Sequence, residues 1–444
     1  MVVVGAGIAG LAGAYEARKL ADAAGLPLEI TILESEPRAG GKIFTERIDG
    51  LPFEWGPDSF VASKPAAREL ATELGLDLLA PAPQAERAYV LSERVLRPFP
   101  AGLVMGVPRG PAHAFRAVRS GLVGIGAALR ASVEPLVPGG VPDGDVGGVV
   151  GRRLGPRWAR RLVLPLVEGV FGAPADGLGM HAALPQFAGS RSLVLAARRQ
   201  PRPGGHPFLS VRGGMGAFVE RLLPKLSGDD LRLRTPALRI EQRDGGLAVV
   251  VPDEEIAAEA VLVAVPAPQA APLLQAVAPR AAEDLSTIRF SSSAVVALRY
   301  TRGAIGRTLD GAGYLVPREE GLVHAACSWF SAKWPEATDD VWLRAIVTSP
   351  ARLREDDRAI GDLVAREVGS VMHATSDPTE VLVHRWEPAL PVYGPRHVER
   401  VERIEGALPR GIAVAGTSYR GLGVPDCIAS GRAAAARLIE DLLA

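Results

Sequence analysis

A chain of 444 residues with 48% hydrophobic content is long enough for roughly two or three domains with substantial cores. Fifty basic residues against fifty acidic ones leave no net charge to draw the chain to nucleic acid. Cys327 and Cys427 form no CxxC pair and the seven histidines show no HxxH spacing, which excludes a disulfide framework and a thiol- or histidine-rich metal site; no metal is expected.

The chain opens almost inside a strand, which reads as a late start or a trimmed chain, and no leader is expected. Val2 to Val4 run into Gly5-Ala6-Gly7-Ile8-Ala9-Gly10, and an alanine-rich helical stretch follows. A second apolar run, Ile30 to Leu33, ends at Glu34, which lies 24 residues after Gly10. Strand, Gly-rich turn, helix, strand and acid in this order predict a dinucleotide site. Gly5 permits the tight turn, Gly7 lets backbone approach a pyrophosphate, and Gly10 lets helix pack on strand. The bare amides of the helix start attract phosphates, and Glu34 is spaced to accept a ribose hydroxyl. Arg38, Gly40, Gly41 and Lys42 follow, two glycines beside two cations, a pattern that suits backbone passing close to phosphates.

Trp55-Gly56-Pro57-Asp58-Ser59-Phe60 reads as a turn with small polar groups. Residues 66–76 read as a helix and Arg87 to Leu91 as a strand. From 95 to 140 an apolar, alanine- and leucine-rich stretch is interrupted by Arg116, Arg119 and Arg130. It predicts a helical insertion, either of buried helices, the commoner outcome, or of an amphipathic element lying on a membrane. Helical pattern continues over 145–172. Residues 213–226 predict a helix start and helix. Pro236 to Arg243 and Leu247 to Val251 predict a hairpin across Asp244-Gly245-Gly246, and Val261 to Val265 a buried strand. The prolines at 266, 268, 272 and 279 argue against a membrane span over 260–279. That stretch reads as strand, turn and short helix, and no transmembrane segment is expected.

Ala294 to Tyr300, Leu322 to Trp329, Val341 to Thr348 and Glu380 to Arg385 predict strands of one sheet, with a helix over 355–371. Near the end, Gly411 to Gly416 reads as buried strand and turn. Gly421-Leu422-Gly423-Val424-Pro425-Asp426-Cys427 leads into a helix from about Ile428 to Leu443. This second strand-turn-helix offers another set of bare amides.

With these motifs in hand, the chain resembles the flavin-dependent amine oxidase superfamily over residues 2 to about 438, and within it the oxygen-dependent protoporphyrinogen/coproporphyrinogen oxidases. The superfamily likeness rests on the Gly5 to Gly10 turn, Glu34, Arg38 to Lys42 and the strand Val261 to Pro266. The narrower likeness rests on Gly56 to Phe60 with Ala62 to Pro65, Glu168-Gly169-Val170-Phe171-Gly172, Ser190 to Leu193, and Phe208 to Met215. It is completed by Arg385-Trp386 and, most specifically, Gly416 to Cys427. Two departures are visible: Leu390-Pro391-Val392-Tyr393 where relatives often read Met-Pro-Gln-Tyr, and Arg396-His397 where many bacterial relatives have Gly-His.

The resemblance implies an α/β fold with α+β parts. A discontinuous Rossmann-like FAD-binding domain takes 1–65, 205–275 and 385–444, a mixed-sheet substrate domain takes 66–94 and 276–384, and a helical insertion takes 95–190. It implies FAD held by Gly5, Ala6, Gly7, Ile8, Ala9 and Gly10 at the pyrophosphate, and by Glu34 and Ser35 at the adenosine ribose. Lys42 and Gly56, Pro57, Asp58 and Ser59 lie along the ribityl and flavin, Ala237 at the adenine, and Trp386, Thr417, Leu422, Gly423 and Val424 at the flavin end. For substrate it implies Arg87 at a propionate, where a solvated strand-edge arginine is an equal alternative, and Gly169 at the macrocycle. No catalytic acid or base is expected, because aromatisation drives proton loss.

The implied reaction is oxidation of a porphyrinogen, protoporphyrinogen IX or coproporphyrinogen III, in successive two-electron rounds, with dioxygen reduced to hydrogen peroxide. The expected location is the cytoplasm, with peripheral contact to the inner face of the cell membrane, a homodimer and a downstream haem-pathway enzyme as further candidate associations. Rival readings are an amine or polyamine oxidase, and a non-catalytic FAD-binding haem-pathway partner.

Overall fold

The computed structural model describes residues 1–201, 204–334 and 339–444, which form two compact units. The first contains Met1–Ala80, Gly205–Arg289 and Val398–Ala444. At its centre is a parallel five-stranded sheet in the order Asp230–Arg232, Thr31–Leu33, Val2–Val4, Val261–Val263, Ile412–Val414. Its central strands are buried runs of aliphatic residues, as parallel strands covered on both faces require. Helices Ile8–Ala24 and Val424–Leu443 pack closely. A Cβ on Gly13 would lie 2.5 Å from Leu262 Cδ2, and one on Gly431 would lie 2.0 Å from the Ala9 carbonyl oxygen. The absent side chains let the two helices and the sheet approach to backbone distance. Arg239–Arg243, Gly246–Val250 and Glu255–Ala258 form an antiparallel meander; its third strand, polar on one face and only half-buried, was not expected from sequence.

The second unit contains Pro81–Gly204 and Phe290–His397. Its seven-stranded sheet runs Glu380–Trp386, Ser293–Tyr300, Val341–Val347, His324–Ser328, Gly313–Leu315, Tyr89–Ser92, Val95–Pro98. Only Gly313–Leu315 and Tyr89–Ser92 pair in parallel. Gly313–Leu315 has too few residues to show a period in sequence. Helix Asp357–Val371, capped by the Asp356 carboxylate on the Ala359 N–H (2.8 Å), lays Ile360, Val364 and Val368 on Val296, Leu298 and Leu343. A buried polar chain ties it down. Glu367 accepts from Val323 N (2.9 Å) and His324 Nδ1 (3.0 Å), and Tyr314 O–H donates to His324 Nε2 (3.0 Å).

The units divide the chain differently from the boundaries read in sequence. Residues 66–80 group with the first unit because Ala67, Leu70 and Ala71 of helix Pro65–Glu73 enter the core that holds Leu11 and Ile428. Residues 276–289 group there too, since helix Pro279–Ser286 packs on Ala267–Leu274. Residues 385–397 group with the second unit, where Glu380–Trp386 pairs along its length with Ser293–Arg299. Contacts do not separate 95–190 from the sheet of that unit. The insertion holds short helices, among them Pro111–Arg119, Ile125–Ser132, Val146–Leu154 and Leu164–Phe171. Ile125, Leu129, Val133 and Leu136 are exposed along it. Among the described residues no helix is long and apolar enough to cross a membrane.

Candidate functional site: a glycine-built phosphate cradle

The Gly5–Gly10 turn is fixed by steric necessity. Gly5 has φ +102°, and a Cβ there would lie 2.9 Å from the Ala264 carbonyl oxygen; at Gly10 it would lie 1.9 Å from the Gly5 carbonyl oxygen. Gly7 differs. It caps helix Ile8–Ala24 in ordinary extended geometry with no side-chain cap, and a Cβ on it would meet only Gly41 Cα, at 4.0 Å. No neighbour in the protein requires that glycine, and the space beside the uncapped helix amides fits a phosphate.

Around this turn the chain draws in the other expected cofactor residues of the first unit. Gly40 N–H donates to the Ala6 carbonyl (2.7 Å), and Gly41, at φ +57°, would place a Cβ 3.1 Å from Gly7 Cα. The Glu34 carboxylate, buried, accepts from Ala6 N (2.9 Å), Glu36 N (3.0 Å) and Ser35 Oγ (3.3 Å). It therefore pins the turn, a structural part the sequence did not reveal. Thr235 N–H donates to the Glu34 carbonyl (2.8 Å), which brings in the loop carrying Ala237. Gly56 abuts Lys42: a Cβ there would lie 1.8 Å from the Lys42 carbonyl oxygen. Burial lowers the Lys42 ammonium pKa, with the Cys427 thiol opposing. Beyond Gly56 and Pro57, Ser59 O–H donates to Asp58 (2.8 Å).

Arg38 is engaged by the loop it belongs to. Its guanidinium donates to the carbonyls of Gly41 (2.6 Å) and Ile43 (3.1 Å) and lies over Phe44, 4.2 Å from the ring centre. It shapes the glycine loop.

The far end of the chain joins the same unit. Gly423 caps helix Val424–Leu443, and its N–H donates to Asp426 (3.1 Å). Asp426 also takes the Lys64 ammonium (2.7 Å), linking Ala62–Pro65 to Gly416–Cys427, two of the narrower motifs. Leu422 precedes that cap. Beside Thr417, Ser418 Oγ accepts from Ala267 N (2.8 Å). The Gly213-Gly214-Met215 motif is explained structurally. Met215 N–H donates to the buried Glu54 (2.6 Å) and Gly216 N–H to Thr45 Oγ1 (2.7 Å). Neither Glu54 nor Thr45 carries a motif that could have announced this.

Three expected residues belong to the second unit. Trp386 ends strand Glu380–Trp386, paired with Ser293, with its ring edge-on to His384 at 4.5 Å. Arg87 stands largely exposed before strand Tyr89–Ser92, ion-paired with Asp310 (3.3 Å). Gly169 sits in helix Leu164–Phe171, where a Cβ would lie 3.3 Å from Leu315 Cδ2. That helix follows a π-helical turn, Ala159–Val163, a feature frequent at functional sites. The Ser190–Leu193 motif is structural. Ser192 O–H and the N–H groups of Leu193 (3.0 Å) and Val194 (3.1 Å) donate to Glu134. Glu134 is fully buried and ion-paired with Arg153 (2.5 Å). Arg116 and Arg130 donate to the carbonyls of Ala101 and Arg152. Among the described residues no group of His, Cys, Asp and Glu could hold a metal.

Residues 8–439 match the family of flavin-containing amine oxidoreductases. The chain belongs to that family. A coproporphyrinogen III oxidase of Bacillus subtilis is 30% identical, the match covering 98% of this chain and 96% of that protein. One from Mycobacterium tuberculosis H37Rv is 33% identical over 99% and 97%. A solved structure from Exiguobacterium sp. 255-15, provisionally named a protoporphyrinogen oxidase, superposes with a TM-score of 0.86 at 31% identity, over 100% of this chain and 98% of that one. The mixed α/β fold is thus that of this flavoprotein family.

Proposed function

We propose that the protein oxidises a porphyrinogen, coproporphyrinogen III or protoporphyrinogen IX, to the porphyrin of haem biosynthesis, with FAD as cofactor and dioxygen reduced to hydrogen peroxide. The observation that carries this reading is the full-length likeness to coproporphyrinogen III oxidases. In this reading the first unit is the FAD-binding part and the second holds the substrate, with 95–190 as its helical insertion. When bound, FAD supplies the acceptor for hydride from a saturated macrocycle carbon and is restored by dioxygen.

The chain's own residues supply placement. The amides from Gly5 to Gly10 receive the pyrophosphate, with Glu34 and Ser35 at the ribose and Ala237 at the adenine. Lys42, Gly56 to Ser59, Thr417 and Leu422 to Val424 line the ribityl and flavin, with Trp386 at the ring. Gly169 lies against the macrocycle and Arg87 meets a propionate. The apolar stripe of Ile125, Leu129, Val133 and Leu136 fits shallow contact with a membrane surface.

The test is direct. Flavin-loaded protein, given each porphyrinogen in air, should develop porphyrin fluorescence together with peroxide. No fluorescence gain over the uncatalysed control with either substrate would refute the reading. Peroxide released from putrescine instead would favour the amine-oxidase alternative. Stable flavin binding with no turnover of any of these substrates would favour a non-catalytic partner.

A further inference from the structure

Beside Gly169 the second unit holds a cation that no motif singled out. Arg318 opens the turn Arg318–Glu320, three residues after Leu315, the side chain that faces Gly169. Its Nε donates to Glu168 (3.1 Å). Glu168 is anchored in turn: its other oxygen accepts from Ala175 N (3.0 Å). The neighbouring acids are already matched. Glu319 pairs with Arg160 (2.8 Å) and Arg161 (3.3 Å), and Glu320 pairs with Arg161 (2.8 Å) while accepting from Glu93 N and Arg94 N. Glu168 is therefore the acid left to Arg318. Among the described residues the two terminal nitrogens of Arg318 have no partner, and its side chain is 56% exposed.

A guanidinium held by its Nε presents its two-nitrogen edge outward, the geometry that takes a carboxylate bidentately. Glu168 immediately precedes Gly169 in helix Leu164–Phe171, so the oriented cation is held one residue from the glycine assigned to the macrocycle. A porphyrinogen brings the matching groups: an apolar macrocycle with carboxylates at its rim. Arg87 lacks such surroundings, since its partner Asp310 is itself half-exposed and also takes the Tyr89 hydroxyl (2.8 Å).

We propose that Arg318 is an anchor for a rim carboxylate of the porphyrinogen, its guanidinium oriented beside Gly169 by Glu168. This rests on the porphyrinogen reading above. It gives a physical basis for favouring the substrate with more rim carboxylates, since every ring of coproporphyrinogen III carries a propionate that can meet the anchor, whereas only two of the four rings of protoporphyrinogen IX do.

The experiment compares wild type, Arg318→Gln and Arg318→Lys as flavin-loaded protein, by initial rates with coproporphyrinogen III and its methyl ester and by quenching of coproporphyrin fluorescence on binding. Arg318→Gln should raise KM for the free acid about ten-fold, weaken coproporphyrin binding in parallel and leave kcat within about two-fold. The ester should not distinguish the variants, and Arg318→Lys should recover part of the affinity. An unchanged KM and unchanged porphyrin affinity in Arg318→Gln, with an active wild type, would overturn the role of Arg318 alone. So would an equal loss with the ester. A flavin-loaded wild type inert to every porphyrinogen would instead remove the reading beneath it.

Discussion

The two units are built with different emphasis. Around the first unit's glycine turn the closest contacts are between backbones, and glycine permits them: Gly10 against Gly5, Gly431 against Ala9, Gly56 against Lys42; Gly313 against Cys327 shows that the second unit uses the same device. In the second unit, charged and polar side chains also join segments far apart in sequence: Glu134 with Arg153 and Ser192, Glu367 with His324, and Glu320 with Arg161 and the turn at Glu93. Steric locks tolerate no added atom, whereas polar networks fail when one partner is lost. The contrast sets what each substitution should do.

The largest effect is expected in the second unit. Glu134→Ala would leave the buried Arg153 without its counter-charge and three donors at Ser192, Leu193 and Val194 without an acceptor. It should cost about 3–5 kcal/mol, measured by urea unfolding. A loss below about 1 kcal/mol would mean water replaces the carboxylate and the network is not what holds the insertion.

In the first unit, Gly431→Ala should cost about 3 kcal/mol or more, because the obstacle is the Ala9 carbonyl and not a side chain that can turn aside. Gly7→Ala sharpens the comparison. Its Cβ enters space lined by no protein atom nearer than 4.0 Å, so stability without flavin should stay within about 0.5 kcal/mol of wild type. FAD affinity, followed by flavin fluorescence on titration, should fall by about ten-fold or more. Equal FAD affinity in Gly7→Ala would remove the cradle from the pyrophosphate.

This difference also explains what was legible in the sequence. The strand, turn and helix at the start of the first unit could be read because their locks are local and use one residue type at fixed spacing, Gly5, Gly7 and Gly10 followed by Glu34. The long strands Ser293–Tyr300 and Val341–Val347 were legible from their apolar runs. Gly313–Leu315 was not, being too short to show a period. Nor was Glu134, which meets Ser192 from 58 residues away and looks like any solvated acid. The part Arg38 plays in its own loop was hidden for a related reason: in sequence, a cation beside glycines looks the same whether it serves a phosphate or the loop's own carbonyls. Arg318 carried no motif, and only the fold brings it to Glu168.

Smaller effects test burial. Both thiols are pushed up to about 12, first by burial, from an ordinary 9.0. The folded state thus favours the protonated thiol. That contribution to stability is complete below pH 9 and is lost as pH rises toward 12. At about pH 8 a thiol reagent should therefore label Cys327 and Cys427 only after unfolding. Stoichiometric labelling of folded protein would contradict the packing around helix Val424–Leu443 and strand His324–Ser328. The smallest effect is at the surface. Arg87→Ala removes an exposed ion pair with Asp310 and should cost about 0–1 kcal/mol in stability. A rise in KM for a porphyrinogen with kcat unchanged would support its propionate role, and an unchanged KM would leave it a solvated strand-edge arginine.

The proposed reaction is tested most directly without oxygen. Flavin-loaded protein mixed anaerobically with coproporphyrinogen III should lose its oxidised-flavin absorbance as porphyrin forms, and regain it when air is admitted, with peroxide released. Flavin that stays oxidised before both porphyrinogens, yet is bleached by an amine such as putrescine, would contradict the account.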